Sequence, residues 1–258
     1  MRYFLKLAYN GSKFHGWQIQ PNAESVQQKI EEALSILTRL PISIVGAGRT
    51  DTGVHAREMF AHFDIPYEIN DKKRFLLSLN KLIGKDIAFY DLIKVHEDAH
   101  ARFDATARTY KYFVSYDKTP FFYPFSYQSP VRLDIDKMNK AASVLLEIED
   151  FTSFAKLHSD AKTNICNVTK ALWTDNKDEL PIFIKDGIVF TISADRFLRN
   201  MVRAVVGTLV DVGRDKINIV DFKNIIQKKD RCAAGISMPA EALFLWSVHY
   251  PYIQSDDF

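Results

Sequence analysis

Apolar residues along this chain switch repeatedly from the two-residue period of a half-buried strand to the 3.6-residue period of an amphipathic helix. Residues 2–9 alternate as a strand, and Asn10-Gly11 ends them with a turn signal. Residues 25–37 place Val26, Ile30, Ala33, Leu34 and Leu37 on one helical face. A short β-branched run at 42–45, a strand at 59–65 stopped by Pro66, a helix at 71–82 and a strand at 87–95 complete the first half. The second half repeats the alternation. It has a strand at 109–116, an aromatic loop at 121–127, a helix at 136–146 and a strand at 168–173. A hairpin at 182–192 turning at Asp186-Gly187, a buried helix at 197–212, a short helix at 222–226 and a closing strand at 243–248 follow.

Each half therefore reads strand–helix–strand–strand–helix–strand, the order of a ferredoxin-like split βαβ unit. The expected fold is α+β: two such halves, 1–104 and 105–258, joined into one extended, mainly antiparallel sheet. Helices would pack on one side and a catalytic cleft would lie at the junction. No linker composition marks the boundary.

Composition sets limits. With 47% hydrophobic and 26% charged residues the chain is globular, and 258 residues can bury a core without disulfides or structural metal. Its two cysteines, Cys166 and Cys232, form no CxxC pair, which argues against zinc ribbons and thioredoxin-type chemistry. Met1-Arg2-Tyr3-Phe4-Leu5-Lys6 has no signal-peptide pattern and no apolar run approaches a membrane span, so a cytoplasmic protein is expected. A net charge of +2 says little about nucleic acid, because a small total can hide a concentrated basic face.

The most unusual stretch is Val45-Gly46-Ala47-Gly48-Arg49-Thr50-Asp51-Thr52-Gly53-Val54-His55-Ala56. Glycines around Arg49 and Asp51 let the backbone turn sharply and approach a ligand. The order fits neither a dinucleotide fingerprint nor a P-loop, since no third glycine opens a helix and no GK[ST] follows. On spacing alone, Asp51 is either a turn aspartate bonded to its own backbone or a positioned carboxylate.

GAGRTDTGVHA closely resembles the catalytic motif of the TruA-type tRNA pseudouridine synthases, which usually carry Ala at the position of Thr52. The resemblance runs in family order through YNGSKFHGWQIQP, HARFDATARTYKYFV, DFTSFA, ADRFLRNMVRAVVGTLVDVG and MPAEALFLWSVHYP. Ala242 departs from a usual Gly, and Arg57-Glu58-Met59 stands where small or polar residues and Gln are commoner. Neither departure touches the catalytic set.

The resemblance implies an isomerase that converts uridine to pseudouridine at positions 38, 39 and 40 of the tRNA anticodon stem-loop. It implies a homodimer, with no cofactor and no metal. Asp51 would be the catalytic carboxylate, as nucleophile or base, and Arg203 would pair with it. Tyr110 would pack against the target base; Tyr112, two residues on in the same strand, is the residue most easily confused with it. Arg49 would fill the space of the extruded uridine or hold a phosphate, and Leu245 would wall the uracil. His55 is equally consistent with an RNA contact and with a loop brace. The aromatic segment Phe14, His15, Trp17 and Gln18 could stack on bases or simply pack. The runs Lys72-Lys73-Arg74 and Lys228-Lys229 are solvated helix faces or phosphate contacts. Two other classes stay open: an RNA-binding protein or chaperone without chemistry, and a glycosidic hydrolase pairing Asp51 with Asp104 or Asp195.

Overall fold

The computed structural model describes residues 1–120, 122–157, 162–175, 177–181 and 184–253. The chain divides into two compact units: Met1–Thr106 with Leu245–Phe258, and Ala107–Phe244.

The first unit contains β1 (Arg2–Tyr9), α1 (Val26–Thr38), β2 (Val45–Gly46), β3 (His55–Asp64), α2 (Lys72–Ile83) and β4 (Ile87–Val95). Strand β1 lies between β3 and β4 and pairs antiparallel with both, while β2 pairs with β3. A central strand is covered on both faces, so Tyr3, Phe4, Leu5 and Leu7 are fully buried. Alternation sends Phe4 and Lys6 to one face of β1 and Tyr3, Leu5 and Leu7 to the other. Helix α1 starts where the Ser25 hydroxyl accepts the Gln28 N–H at 3.2 Å. Helix α2 starts where Asp71 accepts the Arg74 N–H at 2.8 Å. At the edge strand, Asn80 of α2 hydrogen-bonds both the N–H and the carbonyl of Phe89, each at 2.9 Å. That clip occupies groups an edge would otherwise offer to another strand.

The second unit contains β5 (Ala107–Ser115), β6 (Tyr127–Gln128), α3 (Ile135–Ser143), β7 (Val168–Thr174), β8 (Gly187–Ala194), α4 (Met201–Gly213) and α5 (Ile219–Lys228). Strand β8 lies between β5 and β7, antiparallel to both, and β6 adds to β5 in parallel. Strand β9 (Leu243–His249) begins in this unit and ends in the first, where it adjoins β3. Asn139 of α3 clips Trp173 of β7 at 2.8 and 3.0 Å, the same device as Asn80 on β4. Helix α4 is buried over most of its length, as its apolar run requires.

The α+β class and the mainly antiparallel pairing agree with the sequence pattern. Several boundaries do not. The hairpin expected at 182–192 is not formed among the described residues. Strand β8 starts at Gly187 and its antiparallel neighbours are β5 and β7, while residues 182 and 183 lie outside the described residues. The β-branched run at 42–45 contributes only Val45 to a strand. Helix α4 begins at Met201 rather than 197, because Asn200 adopts a left-handed conformation, φ 66°, that ends the preceding segment. Within the 121–127 loop, Phe121 lies outside the described residues and Tyr127 joins β6.

Candidate active site

The Asp51 loop leaves β2 and returns as β3. Beyond the two-residue ladder of β2, the Ala47 N–H still reaches the Phe60 carbonyl at 2.8 Å. The loop closes where the Val54 N–H meets the Asp51 carbonyl at 3.1 Å, with Gly53 at φ 81°. Positive φ there is a glycine conformation, so the turn that displays Asp51 depends on residue type.

A second loop, residues 10–18, is laid against it. The Tyr9 hydroxyl and the Thr50 hydroxyl are hydrogen-bonded at 2.8 Å in a buried setting. The Trp17 N–H donates to the Thr50 carbonyl at 3.3 Å, and the Gly53 N–H to the Phe14 carbonyl at 3.3 Å. Gly16, at φ 86°, lies so close that a Cβ would stand 2.5 Å from the Thr50 carbonyl oxygen. The same loop is anchored to α1 by the Val26 and Gln27 N–H groups, which donate to Gly16 and Trp17 carbonyls at 3.2 and 3.0 Å. Thr50 and His55 are buried as a result, while Asp51 is half-buried and Arg49 and Thr52 are exposed.

Several two-way expectations resolve on this geometry. His55 is 1% exposed and its Nδ1 accepts the Gly11 N–H at 2.9 Å, so it braces the loop. Phe14 and Trp17 are buried packing residues, whereas His15 and Gln18 are exposed. Gln18 accepts a hydrogen bond from Arg49 Nε at 3.2 Å, which orients that guanidinium. Leu245 lies in β9 and is 2% exposed.

Tyr110 and Arg203 belong to the second unit. Tyr110 on β5 is half-buried and meets Phe197 edge-on, with centroids 5.1 Å apart. Tyr112, its neighbour in period, is fully buried, and burial pushes its phenol far above the ordinary range. Its hydroxyl has no hydrogen-bond partner among the described residues. Arg203 on α4 donates through Nε to the Met238 carbonyl at 2.6 Å, and the Met238 N–H returns a bond to the Arg203 carbonyl at 3.1 Å. This reciprocal clamp fixes the guanidinium stem.

The two acids considered as partners in a hydrolase are tied into turns. Asp104 accepts the His100 N–H at 2.8 Å and the Tyr252 hydroxyl at 2.7 Å, and these bonds hold its carboxyl below the usual carboxylate range. A general acid needs the opposite shift. Asp195 accepts the N–H groups of Asn167 and Arg196, both at 2.7 Å. The described residues contain no cluster of three or more metal-ligating side chains.

Comparison with known proteins decides the family. A profile described as tRNA pseudouridine synthase matches residues 141–251. The tRNA pseudouridine synthase A of Parabacteroides distasonis is 56% identical over 250 residues, covering 97% of this chain and 96% of that protein. The enzyme of the same name from Bacteroides fragilis is 52% identical over 250 residues, covering 97% and 96%. That of Bacillus subtilis is 36% identical over 254 residues, covering 97% and 99%. The chain belongs to the tRNA pseudouridine synthase A family.

For a tRNA pseudouridine synthase, the residues that sequence reading overlooked are the ones that hold the loop. Tyr9, Gly16 and Thr50 lie within the quoted motifs, yet nothing in their one-dimensional spacing shows that they meet. A further pair was also hidden. Lys6 of β1 forms a 3.1 Å ion pair with Glu58 of β3, both nearly buried, and Glu58 also accepts the Val248 N–H of β9 at 3.0 Å. Glu58 is one of the departures from the family pattern, and it ties three strands together.

Proposed function

We propose that this protein isomerises uridine to pseudouridine in tRNA, at positions 38, 39 and 40 of the anticodon stem-loop, with Asp51 as the catalytic carboxylate. The N1–C1′ bond breaks, the uracil turns, and C5 bonds to C1′. The proton on C5 leaves to solvent and N1 gains one, so the RNA mass is unchanged. The supporting observation is the Asp51 loop, clamped on both sides by main-chain hydrogen bonds and a positive-φ glycine, in which Asp51 is half-buried rather than sealed into the core. Pre-organisation of this kind is what a positioned carboxylate needs. Binding alone would not require it, which disfavours an RNA chaperone; the tied state of Asp104 and Asp195 disfavours a hydrolase. Tyr110, Arg203, Arg49 and Leu245 take the supporting roles that the family resemblance gives them. A cytoplasmic homodimer working without cofactor or metal completes the reading.

Release of tritium from [5-³H]uridine in tRNA tests it. The parent protein should release label without freeing uracil, and Asp51→Asn should release none above background. Equal release from both proteins would remove Asp51 from the chemistry, and free uracil would convert the reading to a hydrolase.

A further inference from the structure

The HARFDA segment matches the family but has no role in the site described above. Residues 96–106 form an unusually well-fastened turn. His100 Nδ1 accepts the N–H groups of both Arg102 and Phe103, at 3.1 and 3.2 Å. Ala101 donates its N–H to His62 Nδ1 at 3.0 Å, and its carbonyl accepts the Tyr250 hydroxyl. Asp104 closes the turn on the His100 N–H and is held by Tyr252. Arg2 donates to the Ala99 carbonyl at 3.0 Å, and the Thr106 N–H to the His249 carbonyl at 2.9 Å.

What this turn presents to solvent is Phe103, 74% exposed. A phenyl ring held out of a hydrogen-bonded turn loses the burial that would ordinarily stabilise it. The ring is backed by a short aromatic column: Phe103 lies 4.2 Å from the His100 imidazole at 31°, and His100 meets His62 edge-on at 4.8 Å. The exposed Arg102 guanidinium stands 5.7 Å from the Phe103 centroid. One face of the ring is thus fixed by a second ring, and a cation flanks it.

We propose that Phe103 is a stacking platform for an unpaired nucleobase of the RNA substrate, with Arg102 contacting the adjoining phosphate. Aromatic rings accept any base through its π-face, and a flanking guanidinium supplies the sequence-independent charge that a backbone requires. The proposal rests on the reading of this protein as an RNA enzyme and adds a contact outside the catalytic set. Because the turn is already ordered, stacking on it costs little conformational entropy.

The test measures the Kd of an unmodified tRNA transcript by filter binding, beside kcat and KM from tritium release. Phe103→Ala should raise Kd and KM by roughly five- to a hundredfold, the range for loss of one base–aromatic stack, with kcat unchanged. Phe103→Tyr should restore binding, whereas Phe103→Leu, which keeps apolar area without a π-face, should not. Arg102→Gln should reduce the slope of log Kd against log salt by about one. A parent that binds and modifies tRNA while Phe103→Ala binds equally well overturns the platform alone. A parent that neither binds nor modifies tRNA overturns the function and the platform together. Weaker self-association of Phe103→Ala in sedimentation, with RNA affinity intact, would make the ring a protein contact and also overturn the proposal.

Discussion

Replacing Gly16 by Ala should disable the enzyme from a position that carries no chemistry. Two costs combine. Gly16 has φ 86°, where an L-residue with a Cβ is strained by about 1–2 kcal/mol. The new Cβ would also stand 2.5 Å from the Thr50 carbonyl oxygen, and relief to ordinary contact requires a shift of roughly 1 Å in the peptide joining Thr50 to Asp51. That shift weakens the Trp17 N–H to Thr50 hydrogen bond, a further loss of about 1 kcal/mol. The sum is about 2–3 kcal/mol of stability. The functional effect should be larger, since a displacement near 1 Å of a catalytic group costs on the order of a hundredfold in rate. Gly48→Ala is the internal control for stability, because a Cβ there meets nothing within 4 Å in the folded chain. Urea unfolding and single-turnover tritium release on the two variants give both quantities. A Gly16→Ala protein with parental stability and a rate within twofold of the parent would show that the clamp between the two loops does not position Asp51.

Three more outcomes are expected. His62 is buried and its pKa is lowered to about 4 from an ordinary value near 6.5, chiefly by desolvation, so its stabilising neutral form is fully present above pH 6.5 and is lost as pH falls toward 4. About 2–3 kcal/mol of unfolding free energy should disappear over that window, and His62→Gln, which keeps an acceptor for the Ala101 N–H without titrating, should flatten the profile measured by urea titration at several pH values. Glu58→Ala should destabilise by about 2–4 kcal/mol in chemical denaturation, since it removes the carboxylate of a nearly buried ion pair and the acceptor of the Val248 N–H, whereas Glu58→Gln should recover part of the loss. Tyr112→Phe should leave activity intact and change stability by no more than about 1 kcal/mol, because the buried hydroxyl it deletes makes no hydrogen bond among the described residues, while Tyr110→Phe should lower kcat.

Periodicity made most elements legible, because a strand or helix that buries one face must repeat its apolar residues at 2 or 3.6 positions. The strands β1, β4, β7 and β9 and the helices α1 and α2 fall close to where those repeats place them. Reading failed where a single backbone angle or a distant partner decides. Asn200 in the left-handed region delays α4, and among the described residues β8 takes β5 and β7 as its neighbours rather than a preceding hairpin arm, of which residues 182 and 183 lie outside the described residues. Within the site, Asp51 and Arg49 stood out through the glycines around them. The partners of that loop could not stand out, since contact across 41 residues between Tyr9 and Thr50 leaves no periodic trace.

The amino-acid order alone determined the class of fold, the family and the segment that carries the carboxylate, because local pattern and motif survive in one dimension. Tertiary structure alone decided that His55 is buried and braces the loop through Gly11, that Tyr112 is sealed while Tyr110 is not, and that Glu58 joins three strands. Each of those depends on burial and on hydrogen bonds between segments far apart in the chain, and such energies exist only after the chain has folded.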